Sequence, residues 1–312
     1  MQVYRELSNC PKSRRIITLG SFDGVHRGHV SVLQSLVQEA KNNNCKSMVV
    51  TFDPHPQLVI NNPNRPPLQL LNDLNEKLLH LEACGIDEVM IIPFTKEFSQ
   101  LSPDKFILDI LLKEIGFEEM LAGYDNLFGA NRGGNFTLLR QLSETNNFKV
   151  KQLQCFTTGE TVISSTKIRK LIAETKLQEA NNLLGYAYTV SGKIVHGNKL
   201  GRKIGFPTIN IEATNPHKLL PGHGVYLTKV RIDNEIYFGM ANIGCRPTLT
   251  DDKQTTLEIN IFDFDKDVYS KPVTAIFYKH IRDEIKYNGM QELIQALQTD
   301  KDNCIKLLKE FV

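Results

Sequence analysis

The sequence predicts two domains: a parallel α/β domain, followed by a small antiparallel β-barrel that ends in a C-terminal helix. In the first half, short apolar strands alternate with helical patterns, as in parallel sheets with right-handed crossovers. From about residue 185, strand-like runs follow one another with Gly, Pro, Asn and Asp clusters between them. Such spacing is typical of an antiparallel barrel. We therefore predict domains at 1–184 and 185–312.

The elements of the first domain are predicted from apolar runs and helical periodicity. Strands are expected at 16–19, 47–52, 88–93 and 120–122, and helices at 30–41, 74–84, 103–115 and 135–146. Ligands of parallel sheets bind beyond the carboxyl ends of the strands, so the loops after Leu19, Phe52 and Ala122 should converge. Two further helices, at 165–174 and 177–184, should join this domain to the next.

The second domain is predicted from alternating strands. They are expected at 188–195, 225–232, 236–243, 256–264 and 273–281, and a helix with one apolar side should follow at 290–311. Thr208 and Asn210 lie two residues apart in an apparent further strand, so both side chains should point to the same face.

Composition narrows the class of protein. The chain has 312 residues, enough for two domains, and its 37 basic and 35 acidic residues nearly balance. The sequence contains no basic stripe interleaved with aromatics, so nucleic-acid binding is not predicted. No apolar run is long enough to span a membrane, and the N-terminus lacks the apolar core of a signal peptide. Six cysteines without a C-x-x-C pair indicate reduced thiols. We expect a cytoplasmic monomer or weak homo-oligomer that acts on small molecules.

The most informative segment is I-I-T-L-G-S-F-D-G-V-H-R-G-H, residues 16–29. It predicts a strand, a glycine turn and two histidines, His26 and His29, at a helix start. Main-chain N–H groups and the helix dipole favour anions there, which indicates phosphate chemistry on a nucleotide. Metal ligation and a plain surface pair of histidines remain alternatives, whereas the dinucleotide fingerprint and the phosphate loop G-x-x-x-x-G-K-[ST] are both missing.

Three other segments of the first domain carry candidate residues. His55 stands between Pro54 and Pro56, which predicts a rigid loop or an incidental stiff turn. The segment 123–135 is Gly-rich and contains Asp125, which suits either a mobile loop over a ligand or a plain connection. Finally, S-S-T-K-I-R at 164–169 opens a helix, where hydroxyl capping and phosphate binding by the cations are both possible.

The second domain has two candidate segments. Residues 192–210 contain four glycines and four cations, which suit a flap over phosphates or a basic hairpin. At its end, Thr208 and Asn210 supply oxygen atoms that could hold Mg²⁺. Glu258 lies on the polar face of a strand whose other face is apolar, so it is either a solvated side chain or a functional carboxylate.

The first half resembles the FAD synthetase branch of the nucleotidyltransferase superfamily. The resemblance rests on four motifs in order: G-x-F-D-G-V-H-x-G-H, T-F-D-P-H-P, a G-x-D-x-x-F-G loop and S-S-T-x-x-R. It implies a Rossmann-like sheet on which FMN is adenylylated by ATP with Mg²⁺, and catalytic roles for His26, His29 and Arg169. The residues implied in binding ATP and its phosphates are Gly20, Ser21, Phe22, His55, Asp125, Ser165, Thr166 and Lys167, and Asn126 is implied in flavin binding.

The second half resembles riboflavin kinase. The motifs are G-x-x-x-G-R-x-x-G-F-P-T-x-N, G-V-Y, A-N-I-G-x-R-P-T, L-E followed by D-x-Y, and I-R-D-E. The resemblance implies that Glu258 is the general base, that Thr208 and Asn210 bind the metal, and that Arg282 lies near the flavin. It also implies that Gly197, Gly201 and Gly205 approach the ATP phosphates.

Three departures from the family patterns are visible. Asn126-Leu127 stands where an aromatic and a basic residue are common, Ile209 replaces an alanine, and Ser270 replaces a glycine. We therefore predict an enzyme that phosphorylates riboflavin to FMN and converts FMN to FAD. The alternatives are an FAD synthetase with an inactive kinase domain, a flavin-binding regulator, and adenylyl transfer to another mononucleotide.

Overall fold

The computed structural model describes residues 1–60, 66–123, 127–130, 133–154, 157–158, 161–197, 200–246 and 254–308. The chain divides into two compact units. The first unit comprises Met1–Leu68 and Leu74–Ser164, and the second comprises Gln69–Asp73 and Ser165–Val312. By this division the two helices that follow Ser164 belong to the second unit, and the predicted boundary after residue 184 stays a prediction.

The first unit contains a six-stranded sheet in which all neighbouring strands are parallel, as predicted. Its strand order is β1-β4-β3-β2-β5-β6. The strands are β1 (Gln2–Tyr4), β2 (Arg15–Leu19), β3 (Lys46–Asp53), β4 (Glu88–Pro93), β5 (Glu119–Ala122) and β6 (Lys149–Gln152). The edge strands β1 and β6 were not predicted, because they are short, partly exposed and without a continuous apolar run.

Helices cover this sheet. They are α1 (Arg27–Asn42), α2 (Pro56–Val59), α3 (Leu74–Ala83), α4 (Pro103–Lys105) and α5 (Phe136–Thr145), and α4 continues as a π-helical segment, Phe106–Ile115. Single 3-10 turns lie at Leu7–Asn9 and Phe98–Gln100, and β7 (Thr157–Thr158) pairs antiparallel with β8 (Thr161–Val162). The four helices predicted for this unit are present with ends shifted by at most three residues.

The strands bury side chains on both faces of the sheet, as expected for a parallel sheet covered by helices. Ile17 of β2 belongs to the core cluster that contains Leu111 of the π-helical segment, whereas its neighbour Ile16 belongs to the cluster that contains Leu33 of α1. Each such fully buried side chain contributes roughly 1.5–3 kcal/mol to stability. The alternation of Ile16 and Ile17 therefore fixes the orientation of β2, whose carboxyl end carries the histidine-containing loop.

The second unit contains a closed antiparallel barrel, which confirms the second predicted architecture. The strand order is β10-β13-β12-β11-β14-β9. The strands are β9 (Tyr188–Val195), β10 (Ile209–Ala213), β11 (Gly224–Ile232), β12 (Glu235–Arg246), β13 (Gln254–Ile261) and β14 (Pro272–Arg282). The apparent strand with Thr208 and Asn210 is β10, which begins at Ile209, one residue after Thr208. It closes the barrel by pairing with both β9 and β13.

Four helices accompany the barrel in the described part of the chain: α6 (Ser165–Ala173), α7 (Leu177–Leu184), α8 (Leu200–Lys203) and α9 (Met290–Leu308). The last three residues of the predicted helix 290–311 lie outside the described residues. Among the described residues, no helix has the length and apolar character that crossing a membrane requires.

Candidate functional site

In the first unit, the loop between β2 and α1 has an unusual backbone. Phe22 and Val25 have positive φ angles of 47° and 28°, and both side chains are buried. A Cβ atom on Gly20 would lie 3.0 Å from the Phe22 ring, so the ring packs directly on the glycine. Such conformations cost on the order of 1–3 kcal/mol per residue and persist only where packing holds them. The main chain that leads to the N-terminus of α1 is therefore held in one form.

The loop after β2 is hydrogen-bonded to the neighbouring strand β3, and the predicted convergence of the three loops stays a prediction. The Gly20 N–H donates to the Val50 carbonyl at 3.1 Å, and the Thr51 hydroxyl donates to the Ser21 carbonyl at 3.4 Å. Of the third predicted loop, Gly123 is described, but Asp125 and Asn126 lie outside the described residues.

His26 and His29 form a stacked pair at the start of α1. Their ring centroids lie 3.6 Å apart with an angle of 14° between the planes. His26 caps the helix, because its Nδ1 accepts a hydrogen bond from the His29 main-chain N–H at 3.3 Å. A Cβ atom on Gly28 would lie 3.2 Å from the His26 ring, so the glycine of the motif makes room for this ring. With Nδ1 accepting, a neutral His26 carries its proton on Nε2.

The environment keeps His29 uncharged near pH 7. Burial holds the pKa of its imidazole well below the ordinary 6.5, and the nearby His26 and Lys77 lower it further. The edge of Phe22 packs against the His29 ring at 5.2 Å, and its buried Nδ1 has no hydrogen-bond partner among the described residues. His29 can therefore offer a neutral N–H donor to an anion. Repulsion between rings 3.6 Å apart opposes a positive charge on both imidazoles at once.

Lys77 is a residue of this region that the sequence analysis missed. It lies on α3 with only 5% of its surface exposed, and burial lowers the pKa of its ammonium group while Asp23 and Asp53 oppose that shift. Asp23 is itself buried. The sequence signal was weak because a lysine in an amphipathic helix is typical of a solvated face. A buried cation close to bound phosphates would add to the anion-binding character of the loop.

His55 also caps a short helix. It is buried, and its Nδ1 accepts a hydrogen bond from the Gln57 main-chain N–H at 3.2 Å. The peptide bond between Asp53 and Pro54 is cis. The proline-flanked loop thus presents His55 in one orientation, as the sequence predicts, with Nδ1 already occupied by the main chain.

Four of the predicted phosphate ligands begin α6, in the second unit: Ser165, Thr166, Lys167 and Arg169. Thr166 and Lys167 are exposed. The Arg169 guanidinium donates to the Gln69 carbonyl at 2.9 Å and to the Thr166 hydroxyl at 3.4 Å. Arg169 is thus held in place by its own unit.

On the barrel, Glu258 and the two predicted metal ligands come together. Glu258 of β13 stands opposite Asn210 of β10 and opposite Asn242 of β12, so these side chains share one face of the sheet. The Thr208 hydroxyl donates to the Glu258 carboxylate at 3.3 Å. Asn210 is buried and Glu258 is partly exposed. The arrangement offers one carboxylate and two neutral oxygen ligands within one small area.

The predicted glycine segment packs against these residues. A Cβ atom on Gly197 would lie 2.2 Å from the Asn210 amide nitrogen, and one on Gly201 would lie 2.2 Å from the Phe206 carbonyl oxygen. Gly205 has a φ of 83°, a conformation that favours glycine. Residues 198–199 lie outside the described residues. The glycines at 197 and 201 are therefore required by close approach of the main chain.

Arg282, predicted to lie near the flavin, forms an ion pair in the structure. Its guanidinium binds the buried Asp300 of α9 through Nε at 2.9 Å and Nη2 at 2.7 Å. It also donates to the Asp283 carbonyl at 2.8 Å and lies 5.9 Å from the centre of the Tyr287 ring. A role of Arg282 towards a flavin stays a prediction.

A metal site built from histidine, cysteine and carboxylate side chains was the alternative for His26 and His29. Within the described ranges, no group of three or more such side chains is arranged to hold a metal ion. Cys10 is buried in the core of the first unit and Cys45 lies beside Glu118, so neither completes a site with the histidines.

Two family models match the chain, one after the other. The model described as FAD synthetase matches residues 9–167, and the model described as riboflavin kinase matches residues 184–308. The first range contains the stacked histidines, and the second contains Glu258, Thr208 and Asn210.

Similar proteins match over nearly the full length. Three named "Bifunctional riboflavin kinase/FMN adenylyltransferase" come from Listeria monocytogenes, Escherichia coli and Haemophilus influenzae. The Listeria protein is 38% identical, with 93% of this chain and 91% of the relative covered. The Escherichia protein is 36% identical, with 95% and 93% covered, and the Haemophilus protein is 38% identical, with 97% of both covered.

A crystal structure described as a macrolide-efflux protein from Streptococcus pneumoniae is similar in fold. It matches with a TM-score of 0.85 at 27% identity and covers 96% of this chain and 97% of its own.

Proposed function

Because the chain belongs to the family of bifunctional riboflavin kinase/FMN adenylyltransferases, we propose that it carries each of the two reactions on a separate region. Residues 184–308 phosphorylate riboflavin to FMN, and residues 9–167 transfer the adenylyl group of ATP to FMN, giving FAD and pyrophosphate. The observation that carries this assignment is the succession of two family models, each with its own candidate site. A flavin-binding regulator and a single-activity enzyme are not favoured, because relatives that share both regions are named for both activities.

In adenylyl transfer, a phosphate oxygen of FMN attacks the α-phosphorus of ATP. The new P–O bond forms as the bond to the β-phosphate breaks, and pyrophosphate leaves with the electron pair. A phosphate monoester is already ionised at pH 7, so this reaction needs no general base. The N–H groups of His26 and of the neutral His29, together with the N-terminus of α1, donate hydrogen bonds to the phosphoryl oxygens as negative charge develops.

In riboflavin phosphorylation, the nucleophile is a hydroxyl group, which must lose its proton. Glu258 takes the proton of the terminal ribityl hydroxyl as its oxygen attacks the γ-phosphorus of ATP, and ADP leaves. The Thr208 hydroxyl donates to the same carboxylate at 3.3 Å and so orients it. Asn210 and Asn242, on either side of Glu258 in the sheet, complete the polar face on which the reacting groups lie.

The barrel residues fit a hard cation such as Mg²⁺. Thr208 and Asn210 supply neutral oxygen atoms close to one carboxylate, and Mg²⁺ is commonly bound by few protein oxygens together with water and substrate phosphates. When bound, the ion would neutralise charge on the transferring phosphates. Thr208 and Asn210 would hold it, and Gly197 would keep Asn210 in position.

The remaining assignments stay predictions from the resemblance. They are phosphate binding by Gly20, Ser21, Phe22, His55, Asp125, Ser165, Thr166, Lys167, Arg169, Gly201 and Gly205, and flavin binding by Asn126 and Arg282. A cytoplasmic location, a monomeric or weakly oligomeric state and the absence of nucleic-acid binding are predictions in the same sense.

The direct test is to incubate the protein with ATP, Mg²⁺ and either riboflavin or FMN, and to separate the flavins by chromatography. We expect FMN and then FAD from riboflavin, and FAD from supplied FMN. If riboflavin gave no FMN while FMN gave FAD, the kinase assignment would be wrong. If supplied FMN gave no FAD, the adenylylation assignment would be wrong.

A further inference from the structure

Three reactive side chains meet at one end of the barrel, apart from the residues already assigned to catalysis. His223 directly precedes β11, Cys245 lies at the end of β12, and Glu284 follows β14. These three strands are neighbours, with Gly224 opposite Ile243 and Val225 opposite Arg282. The register therefore brings an imidazole, a thiol and a carboxylate to the same rim of the barrel.

The imidazole of His223 lies close to both the thiol and the carboxylate. The Cys245 sulfur lies 3.5 Å from Nε2 of His223, and Nδ1 of His223 lies 3.8 Å from Oε2 of Glu284. A Cβ atom on Gly244 would lie 2.4 Å from Oε1 of Glu284, so the carboxylate packs against this glycine. The sulfur also lies 4.0 Å from Nδ1, so Nε2 is the nearer ring nitrogen to accept the thiol proton, and the contact with Glu284 becomes an ion pair when the ring is protonated.

We propose that Cys245 is an activated thiol, at which this protein forms mixed disulfides with small disulfides. His223 takes the proton of the thiol and Glu284 stabilises the resulting imidazolium, as in thiol nucleophiles that are paired with a base. His223 and Glu284 are exposed and Cys245 is half-buried, so a small reagent can reach the sulfur. The effect of the carboxylate is weakened by this exposure, and the imidazole supplies most of the activation.

The other described cysteines lie in environments that oppose ionisation. Burial raises the pKa of the Cys10 and Cys84 thiols, and it raises the pKa of Cys304 to about 12. Cys45 is half-buried like Cys245, but its sulfur lies 3.7 Å from a carboxylate oxygen of Glu118, and burial and this charge raise its pKa. Cys45 is thus a matched comparison, since a carboxylate stands beside it where Cys245 has an imidazole.

The proposed step is a thiol–disulfide exchange. The Cys245 thiolate attacks one sulfur of the small disulfide, a new S–S bond forms, and the other half leaves as a thiolate. The thiol proton passes first to His223 and then to the departing thiolate, so protons and electrons balance. A small thiol in excess reverses the step.

Modification at this position should slow riboflavin phosphorylation, a consequence that rests on the proposed function. His223 lies two residues before Val225, which stands opposite Arg282 of β14, and the resemblance places Arg282 near the flavin. An added group on Cys245, beside His223, would therefore crowd the approach of riboflavin.

The first test measures the reaction of each cysteine of the full-length protein with iodoacetamide at pH 7, by mass spectrometry of peptides. Cys245 should be alkylated roughly tenfold faster than Cys45, because an imidazole that can take its proton stands beside Cys245, whereas burial and the Glu118 carboxylate raise the pKa of the Cys45 thiol. His223→Gln should remove most of this difference, and Glu284→Gln should reduce it about twofold. At pH 10, where thiols ionise without assistance, the parent protein and His223→Gln should react at similar rates.

Equal alkylation rates for Cys245 and Cys45 at pH 7 would overturn the proposal, as would an unchanged Cys245 rate in His223→Gln. This readout needs no enzyme activity, so its failure is distinct from failure of the proposed function. Thermal unfolding of each variant shows whether the fold is kept, and the alkylation rate of buried Cys304 reports local opening between α9 and the barrel.

The second test uses oxidised glutathione as the disulfide. Treatment should add one glutathione at Cys245 and lower the rate of FMN formation at least threefold, while FAD formation from FMN stays within twofold, and dithiothreitol should restore the rate. Cys245→Ser should keep its activity under the same treatment. Loss of activity in Cys245→Ser, or attachment mainly at another cysteine, would contradict the proposal.

Discussion

The two candidate sites differ in what they are made of. In the first unit, the site is a strained loop and a helix N-terminus, with two stacked imidazoles of which His29 is neutral near pH 7. On the barrel, it is a set of strand side chains that includes one carboxylate, with a hydroxyl hydrogen-bonded to it. The difference follows from the nucleophiles: an ionised phosphate needs only stabilisation of charge, whereas a ribityl hydroxyl also needs a base.

The substitution Glu258→Gln should produce the largest difference between the rates of FMN and FAD formation. Removing the base should lower FMN formation about 10²–10⁴-fold, while FAD formation from FMN changes less than about twofold, because the first unit uses no carboxylate base. Initial rates with riboflavin and with FMN measure the two effects separately. Glu235→Gln, an exposed glutamate at the start of β12, is the control and should leave both rates nearly unchanged. Equal loss of both activities in Glu258→Gln would contradict the division of the sites.

His29→Ala should have the converse effect. Loss of one preorganised donor should lower FAD formation roughly 10²–10³-fold, the cost typical of such a donor, and should leave FMN formation intact. The same chromatographic assay measures both rates. The exposed His217→Ala is the control for removing a histidine. If His29→Ala lowered only the affinity for FMN and not the maximal rate, its role would be binding and not charge stabilisation.

Gly197→Ala tests whether main-chain contact positions Asn210. The new methyl carbon would lie 2.2 Å from the Asn210 amide nitrogen, so the side chain or the loop must move. We expect FMN formation to fall about tenfold, with a higher Mg²⁺ requirement, since a misplaced ligand can cost up to about a hundredfold. In Gly289→Ala, by contrast, the added carbon would meet no atom within 4 Å, and activity should stay unchanged. An unaffected Gly197→Ala would show that Asn210 needs no such support.

The free energy of unfolding should depend on pH through the buried imidazole of His29 in the first unit. The pKa of His29 is lowered on folding, so its contribution to stability is present above about pH 6.5 and is lost as the pH falls below that value. The slope for one such proton is at most about 1.4 kcal/mol per pH unit. Denaturant unfolding between pH 5 and 8 should therefore show a shallower acid decline for His29→Ala than for the parent protein. Parallel curves would mean that His29 titrates normally in the folded chain.

Much of the architecture was visible in the sequence, for physical reasons that particular elements show. The central strands β2, β3 and β4 are continuous apolar runs because both faces of the sheet are covered, and such runs are easy to recognise. The edge strands β1 and β6 escaped recognition, since a strand with one exposed side has no such run. Of the candidate site residues, Thr208 and Asn210 could be connected by their spacing, whereas Glu258 could be connected with them only through resemblance to a family.

The sequence alone determined the order of the two architectures, the glycine and histidine loop at the end of β2, and the residue types available for chemistry. Only the tertiary structure decided which of these residues meet. Glu258 stands opposite Asn210 and Asn242 because of the register of the strands. A shift of this register by one residue would turn the Glu258 side chain to the other face of the sheet. The buried Lys77 near His29 and the cluster of His223, Cys245 and Glu284 arise in the same way, since long-range packing joins segments that no local pattern relates.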